Sequence, residues 1–210
     1  MSYALLLRKL RFEDREFVTA PEMKAYCKPM KVDYDAAIRY FTKRGYIVRI
    51  FRGIFYLRSL EELKLGRSRY NHLELVARGM ELKKVEKWYF GLRTALKLND
   101  MTHEYFTVDD VISESVFRAK PIKIADHEFK FYKLSKSLFD FGITGDKTHP
   151  HSDPEKTILD FIYVWRYNSV PEARIVADVS EWSEGLSKQK IRRYASMYPT
   201  TVSNIAMKVI

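Results

Sequence analysis

The stretch DYDAAIRYFTKRGYIVRIFRGIFYLR, which runs from Asp33 to Arg58, decides how the N-terminal part of this chain is predicted to fold. Asp33 is a favoured helix N-cap residue, and Gly45 supplies the left-handed conformation in which a helix often ends. Between these two signals, apolar side chains recur at a helical period. The stretch therefore predicts a helix over residues 34–44.

The same stretch continues with two runs of β-branched and aromatic residues, 46–51 and 54–58. Such residues favour strands. Only Arg52 and Gly53 separate the two runs, and a two-residue connection is typical of a tight β-hairpin. The sequence therefore predicts a helix that is followed at once by a hairpin.

The predicted helix over 34–44 has two distinct faces. Its core-facing stripe, spaced at i, i+3, i+4 and i+7, comprises Tyr34, Ala37, Ile38 and Phe41. Its outward stripe comprises Ala36, Arg39, Tyr40 and Lys43, with Arg44 directly after it. An Arg side chain can pair with guanine O6 and N7, and an Ala methyl can contact the methyl group of thymine. The outward stripe is therefore typical of a recognition helix in a major groove; a solvated basic surface without a recognition role is the alternative.

Two shorter helices are predicted before this one. Residues 3–12 form an amphipathic segment, and Thr19 and Pro21 mark a helix start at which Glu22 completes a capping box. This second helix is predicted to end near Cys27. Helix, helix, glycine exit and hairpin, in this order and spacing, predict a winged helix-turn-helix.

Positive charge is concentrated in the first third of the chain. The 210 residues include 37 Lys and Arg against 27 Asp and Glu, a formal net charge of +10. Residues 1–70 hold 16 and 8 of these, which gives +8, whereas residues 71–210 hold 21 and 19, which gives +2. Such asymmetry predicts a polyanion-binding module joined to a near-neutral body, although an ordinary domain with a solvated basic face is the alternative. The DNA contacts predicted outside the helix over 34–44 are Lys24, Lys28, Arg49, Arg52 and Arg58.

Two domains are predicted, a winged helix-turn-helix DNA-binding domain over residues 1–70 and a mixed α+β domain over residues 71–210. The junction between them, from Glu61 to about Asn71, is polar. In the second domain, helices are predicted over 84–98, from an Asp153 cap to about 167, over 171–182, over 187–197 and toward Ile210. Strands are predicted over 105–108 and as a hairpin over 121–125 and 128–134, with a short strand or turn over 139–143. The predicted fold class is therefore α+β.

Four stretches of the sequence resemble one family of proteins. They are FVTAPEM (17–23), IRYFTKRGYIVRIFRGIFYL (38–57), WYFGLRTAL (88–96) and DPEKTILD (153–160). Over most of its length the chain is similar to the AbiEi group of abortive-infection antitoxins, the transcriptional half of type IV toxin–antitoxin pairs. The resemblance implies that the first two stretches belong to a winged helix and the last two to a C-terminal antitoxin domain.

The resemblance further implies a function. Members of the family repress their own operon and neutralise a partner toxin of the nucleotidyltransferase type. The expected partner is then double-stranded DNA at the chain's own operator, with inverted repeats as a suitable target, and the sequence leaves the oligomeric state open. The alternative is a nucleic-acid-processing enzyme or an RNA-binding factor that uses the winged helix to hold its substrate.

Three groups of residues could suggest catalysis or metal binding. His149, His151 and Asp153 lie close in sequence, but metal ligands usually come from separate elements, and Asp153 is already predicted to cap a helix. Cys27 is predicted to be a small buried thiol. The Asp109-Asp110 pair lacks the Gly-Ser helix start that precedes such carboxylates in nucleotidyltransferases. Since no GxGxxG or GxxxxGK[ST] motif occurs, we expect a protein that is not an enzyme and uses no metal or cofactor.

The sequence also indicates a cellular compartment. A single cysteine gives neither a disulfide framework nor a multi-cysteine metal site. The apolar run over residues 3–7 is shorter than the ~7–15 residues of a secretory signal, and no run approaches the ~20 residues of a membrane span. We therefore expect a cytoplasmic protein with no membrane partner.

Overall fold

The structure is a computed structural model that describes residues 3–210. The chain divides into two compact units, Met1–Lys84 with Lys123–Asp126 and Val85–Ile122 with His127–Ile210. The helices and strands up to residue 84 are α1 (Tyr3–Phe12), β1 (Phe17–Thr19), α2 (Ala20–Cys27), α3 (Tyr34–Lys43), β2 (Ile47–Phe51), β3 (Ile54–Leu57), α4 (Leu60–Leu65) and α5 (His72–Leu82). This part of the chain therefore contains both α-helices and β-strands.

The remaining elements also mix helices and strands. They are β4 (Trp88–Phe90), α6 (Leu92–Leu98), β5 (Val108–Ser113), β6 (Ile122–Ile124), β7 (His127–Lys133), a 3₁₀ helix (Lys136–Phe139), β8 (Ile143–Thr144), β9 (His151–Ser152), α7 (Pro154–Tyr167), α8 (Glu172–Trp182), α9 (Lys188–Ala195) and α10 (Thr200–Val209). The predicted α+β fold class is confirmed.

In the first unit, a small antiparallel sheet has the strand order β1-β3-β2. Phe17 lies opposite Tyr56, and Ile47 lies opposite Leu57 on the other side of β3. Helices α1, α2 and α3 bury their apolar sides in one cluster with this sheet. Its fully buried members include Leu6, Leu10, Met23, Ala37 and Phe41. Burial of these side chains fixes which side of α3 faces away from the core.

Local signals place the ends of the helices in this unit. The Asp33 carboxylate accepts a hydrogen bond from the backbone N–H of Ala36 at 2.7 Å, so its predicted N-cap role is confirmed. The Glu22 carboxylate accepts from both the backbone N–H and the hydroxyl of Thr19, at 2.8 and 2.7 Å. These hydrogen bonds lower the pKa of Glu22 below its usual value. Helix α2 thus starts where the sequence predicts.

Helix α5 packs against the hairpin strands and was not predicted. Its Gly79 leaves room for them, because a Cβ at this position would come within 2.7 Å of both Ile50 and Phe51. Asn71 caps the helix by accepting from the N–H of Glu74 at 2.9 Å. The predicted domain boundary near residue 70 falls before α5, whereas the two units divide after α5, between Lys84 and Val85.

The second unit is built on five strands of a mixed sheet, in the order β7-β5-β4-β9-β8. Strand β5 runs parallel to β7 and antiparallel to β4, and β4 runs parallel to β9. Helix α7 contacts α6, α8, α9 and α10. Its apolar residues, with Tyr89 and Ile112 of the sheet, form the main core of this unit.

The prediction of a helix over residues 84–98 is wrong for the first half of this range. Trp88–Phe90 forms β4, which pairs with β5, and the helix begins only at Leu92. A Cβ at Gly91, between the two elements, would come within 2.3 Å of the Ile112 side chain. The apolar spacing is compatible with a helix, but pairing with a distant strand determines the conformation.

The strand predicted over 105–108 is also misplaced. Strand β5 begins at Val108 and continues to Ser113, and Tyr105 is 87% exposed. The predicted hairpin over 121–134 is confirmed as β6 and β7, and the last four helices lie close to their predicted bounds. Within residues 3–210, no helix has the length and apolar character needed to cross a bilayer.

Candidate nucleic-acid interface

Helix α3 presents an apolar side to the core and a basic side away from it. Ala37 and Phe41 are completely buried, as predicted, while Tyr34 and Ile38 are half-buried at the edge of the core cluster. Arg39 and Lys43, from the predicted outward stripe, are exposed, and so is Arg44. We call Arg39, Lys43 and Arg44 the basic face of α3. No ion pair to a carboxylate engages any of the three within the described residues 3–210, so their charges are available to a ligand.

The other two members of the predicted outward stripe, Ala36 and Tyr40, are half-buried rather than exposed. Ala36 is half-buried in the first turn of α3, where its N–H is bonded to Asp33. Tyr40 is half-buried too, and its ring stacks on Tyr3 of α1 with 4.9 Å between the centroids. The Arg44 guanidinium lies 5.7 Å from the centroid of the Tyr40 ring. Tyr40 therefore joins α1 to α3 and supports Arg44 rather than projecting freely into solvent.

Basic residues from two elements lie near Tyr34, at the start of α3. The ammonium of Lys24, on α2, lies 5.2 Å from the centroid of the Tyr34 ring. Burial and the negative charge of Asp35 raise the pKa of Tyr34, and the positive charge of Arg49, on β2, opposes that rise. Both Lys24 and Arg49 are exposed. Helix α2 and the hairpin thus each place an exposed cation near the first turn of α3.

The hairpin turn is anchored to the start of α2. The backbone N–H of Ala20 donates to the carbonyl oxygen of Gly53 at 2.7 Å. Gly53 has a φ of +76°, and a Cβ there would meet the Ala20 side chain at 3.2 Å. Arg52, the other turn residue, is exposed, as is Lys28 at the end of α2. The turn therefore holds the Arg52 backbone in place while its side chain reaches into solvent.

Arg58 occupies a different environment from the other hairpin arginines. It follows β3, is half-buried, and lines a groove of about 610 Å³ together with Arg11 and three further arginines. The Arg11 guanidinium donates to the carbonyl oxygen of Arg58 at 3.5 Å, and burial lowers the pKa of Arg11. Four carboxylates also line this groove: Asp14, Glu16, Glu61 and Glu62. The groove is therefore of mixed charge, unlike the basic face of α3.

In the second unit, the Asp109-Asp110 pair is occupied by cations from α6. The guanidinium of Arg93 forms a fork on Asp110, with both N–O distances at 2.7 Å, and the ammonium of Lys97 lies 2.6 Å from Asp109. Burial raises the pKa of Asp110, and Arg93 opposes that rise. Both carboxylates are thus used in ion pairs that hold α6 to β5.

The side chains of His149, His151 and Asp153 do not converge. Asp153 accepts from the N–H of Lys156 at 2.9 Å, so its predicted N-cap role is confirmed. Its second carboxylate oxygen accepts from the Tyr194 hydroxyl at 3.1 Å. The ring of His151 instead contacts the carbonyl oxygen of His149, at 2.8 Å from its Nδ1. Cys27 is buried, as predicted, and burial raises the pKa of its thiol.

A buried ionic cluster lies within the stretch DPEKTILD and was not predicted. Lys156 and Asp160, one helical turn apart on α7, are both completely buried with 3.4 Å between their charged atoms. Asp160 accepts from the hydroxyls of Tyr198 at 2.6 Å and Tyr89 at 2.9 Å. The Lys156 ammonium also lies 4.6 Å from the centroid of the Phe141 ring. The spacing of Lys156 and Asp160 signals an ion pair, but nothing in the local sequence reveals its burial.

Comparison with known proteins adds information about the fold. No protein-family model and no curated protein matches this sequence. A solved structure, the Rv2827c protein from Mycobacterium tuberculosis, is similar with a TM-score of 0.60 at 14% sequence identity. The match covers 99% of this chain and 75% of that one. The two chains therefore share a fold across nearly the whole length described here.

Proposed function

We propose that this chain is a sequence-specific DNA-binding transcriptional regulator. The observation that carries the proposal is the basic face of α3: its three cations are exposed, and Arg39 and Lys43 lie on the side of the helix opposite the buried Phe41. Two further exposed cations, Lys24 and Arg49, lie near Tyr34 at the start of the same helix. Contacts from cationic side chains to phosphates supply affinity, and a helix in the major groove supplies base recognition.

The order of elements in the first unit supports the same proposal. Helices α2 and α3 follow one another with a short connection, and the hairpin β2–β3 comes directly after α3. In a winged helix, the second of two such helices enters the major groove and the hairpin contacts the adjacent backbone. Arg39 and Lys43 then contact bases or nearby phosphates, and Arg49 and Arg52 contact the backbone.

The specific regulatory role that we propose is that of an antitoxin of a type IV toxin–antitoxin pair that represses its own operon. Its support is the resemblance of four stretches, two in each unit, to the AbiEi group. The proposed partners are the chain's own operator and a toxin of the nucleotidyltransferase type. The engagement of Asp109 and Asp110 by Lys97 and Arg93 favours this non-catalytic role over a nucleic-acid-processing enzyme.

Footprinting on the DNA upstream of the chain's own gene tests the proposal. We expect a protected site, and we expect Arg39→Ala to weaken binding to it and to relax its sequence preference. A bidentate Arg–guanine contact contributes about 1–3 kcal/mol of discrimination. Arg78→Ala, on the exposed surface of α5, is the matched control and should bind as the wild type does. Unchanged affinity and preference for Arg39→Ala would remove α3 as the recognition helix.

Co-expression with the toxin encoded nearest to the gene tests the antitoxin role separately. Rescue of growth supports the proposed pair. If footprinting shows a protected operator but co-expression rescues growth from no neighbouring toxin, the chain is a regulator and not an antitoxin.

A further inference from the structure

A second groove lies in the second unit, between β7, α7 and the segment that connects β5 to β6. Its volume is about 710 Å³, within the range of ~300–1,000 Å³ of ligand-binding sites. Six of the residues that line it are aromatic or basic: Phe117, Lys130, Tyr132, Lys133, Tyr163 and Tyr167. We call this the aromatic groove. None of the described residues that line it is acidic.

The aromatic groove combines an apolar floor with exposed rings. Leu134 and Val164 lie at its floor and are almost fully buried. Tyr167 is 83% exposed and Phe117 is 54% exposed. Exposed large apolar side chains that adjoin one concave surface mark an interaction site more often than scattered ones do. The rings therefore offer flat faces to a ligand.

The cations of the aromatic groove lie among its rings. The Lys130 ammonium donates to the carbonyl oxygen of Ala119 and lies 5.8 Å from the centroid of the Tyr132 ring and 6.0 Å from that of Phe117. Lys133 is exposed at the end of β7. Because no carboxylate lines the groove, these two charges favour an anionic ligand.

We propose that the aromatic groove binds single-stranded nucleic acid. Exposed rings stack on unpaired bases of any sequence, and neighbouring cations neutralise the phosphates of the strand. A duplex fits this chemistry poorly, since its bases are already stacked on one another. An acidic peptide would engage Lys130 and Lys133 but has no flat groups for the rings. This site is independent of duplex recognition by α3.

Fluorescence anisotropy with the full-length protein tests the stacking. The probes are labelled oligo-dT and oligo-U of about 12 nucleotides, a length that one single-strand-binding domain typically covers. We expect Phe117→Ala and Tyr167→Ala each to weaken binding by about 5- to 150-fold, while Tyr167→Trp retains it. Tyr105→Ala removes a ring that is 87% exposed in the same unit but outside the groove, and it should bind as the wild type does.

The salt dependence of binding tests the contribution of the positive charges in the aromatic groove. Lys133→Gln should reduce the slope of log affinity against log salt by about 0.7, the value per phosphate of a single strand. Lys147→Gln, an exposed lysine of the same unit outside the aromatic groove, should leave that slope unchanged. A thermal unfolding curve for each variant confirms that the fold is retained.

Competition separates this inference from the proposed regulator. The competitors are unlabelled single strand, duplex and polyglutamate. If duplex or polyglutamate displaces the labelled oligonucleotide with the same efficiency as the single strand, the aromatic groove is not a single-strand site. Unchanged affinity for both Phe117→Ala and Tyr167→Ala would lead to the same conclusion. Arg39→Ala should weaken duplex binding alone, whereas the groove variants should weaken single-strand binding alone. If the wild-type protein binds a single strand but no operator DNA, the result contradicts the proposed regulator and supports the proposed single-strand site.

Discussion

The ring of Tyr40 stacks on the ring of Tyr3, with 4.9 Å between the ring centroids and 24° between the ring planes. The contact connects α3, which carries the basic face, to α1, which contributes Leu6 and Leu10 to the core. Arg44 lies over the same Tyr40 ring. The orientation of the proposed recognition helix therefore depends on α1 as well as on its own core-facing residues.

Replacing Tyr40 tests this dependence. We expect Tyr40→Ala to lower the free energy of unfolding and to weaken operator binding, because it removes the stack that holds α3 and Arg44. Stacked aromatic pairs contribute about 0.5–1.5 kcal/mol beyond their buried area. Tyr40→Phe keeps the ring and should retain both properties, as measured by chemical denaturation and fluorescence anisotropy. Weaker binding by Tyr40→Phe alone would instead indicate a direct role for the hydroxyl at the DNA.

Phe41 tests which face of α3 belongs to the core. It is completely buried, so Phe41→Ala should lower the free energy of unfolding by about 3–5 kcal/mol through lost burial and the cavity left behind. Phe12→Ala, at the end of α1, is the matched control because Phe12 is 90% exposed. Chemical denaturation of the full chain compares the two variants. Similar unfolding free energies for both would show that Phe41 is not an anchor of the core.

The salt dependence of operator binding tests which cations meet phosphates. Lys24, Lys28, Arg49 and Arg52 are exposed, and four phosphate contacts give a slope of log affinity against log salt of roughly −3 to −4. Arg52→Ala should reduce the magnitude of this slope by about one and weaken binding to all sequences alike. Arg58→Ala should leave the slope unchanged, since Arg58 lies half-buried in the groove with Arg11. A larger loss of slope for Arg58→Ala than for Arg52→Ala would reverse this assignment.

The parts of the fold that the sequence predicts are those with local causes. The cap at Asp33, the capping box of Thr19 and Glu22, and the two-residue turn at Arg52-Gly53 each act within a few residues. The cap at Asp153 is of the same kind. Each signal therefore predicts its element correctly from the neighbouring residues alone.

The parts that the sequence does not predict depend on distant partners. Trp88–Phe90 has the apolar spacing of a helix but pairs with β5, more than twenty residues further along the chain. The sequence pattern does not predict helix α5, although Asn71 and Glu74 form a capping signal, because the polar segment before it is typical of a junction. Helical periodicity alone placed Tyr40 on the outward face, and only the partner from α1 reveals its half-buried position.

The buried pair of Lys156 and Asp160 tests the core of the second unit. Removing one partner of a buried ion pair leaves an uncompensated charge and costs about 3–5 kcal/mol, whereas replacing both is often nearly neutral. We therefore expect Lys156→Met to lower the free energy of unfolding strongly and the double variant Lys156→Met/Asp160→Asn to recover much of the loss. Denaturation of the wild type, Lys156→Met, Asp160→Asn and the double variant at neutral pH measures the coupling between the two residues.

The pH dependence of Lys156→Met provides a second measurement on the same pair. Burial raises the pKa of Asp160, and Lys156 opposes that rise, so removing the lysine should raise it further. A carboxyl whose folded pKa lies above its unfolded value destabilises the fold increasingly as the pH rises from the unfolded value to the folded one. The stability deficit of Lys156→Met should therefore shrink as the pH falls toward about 4, the ordinary carboxyl range. The double variant, which has no carboxyl at this position, should show no such recovery relative to the wild type. A deficit for Lys156→Met that is constant across this pH range would mean that the loss comes from packing around the lysine chain rather than from the stranded charge of Asp160.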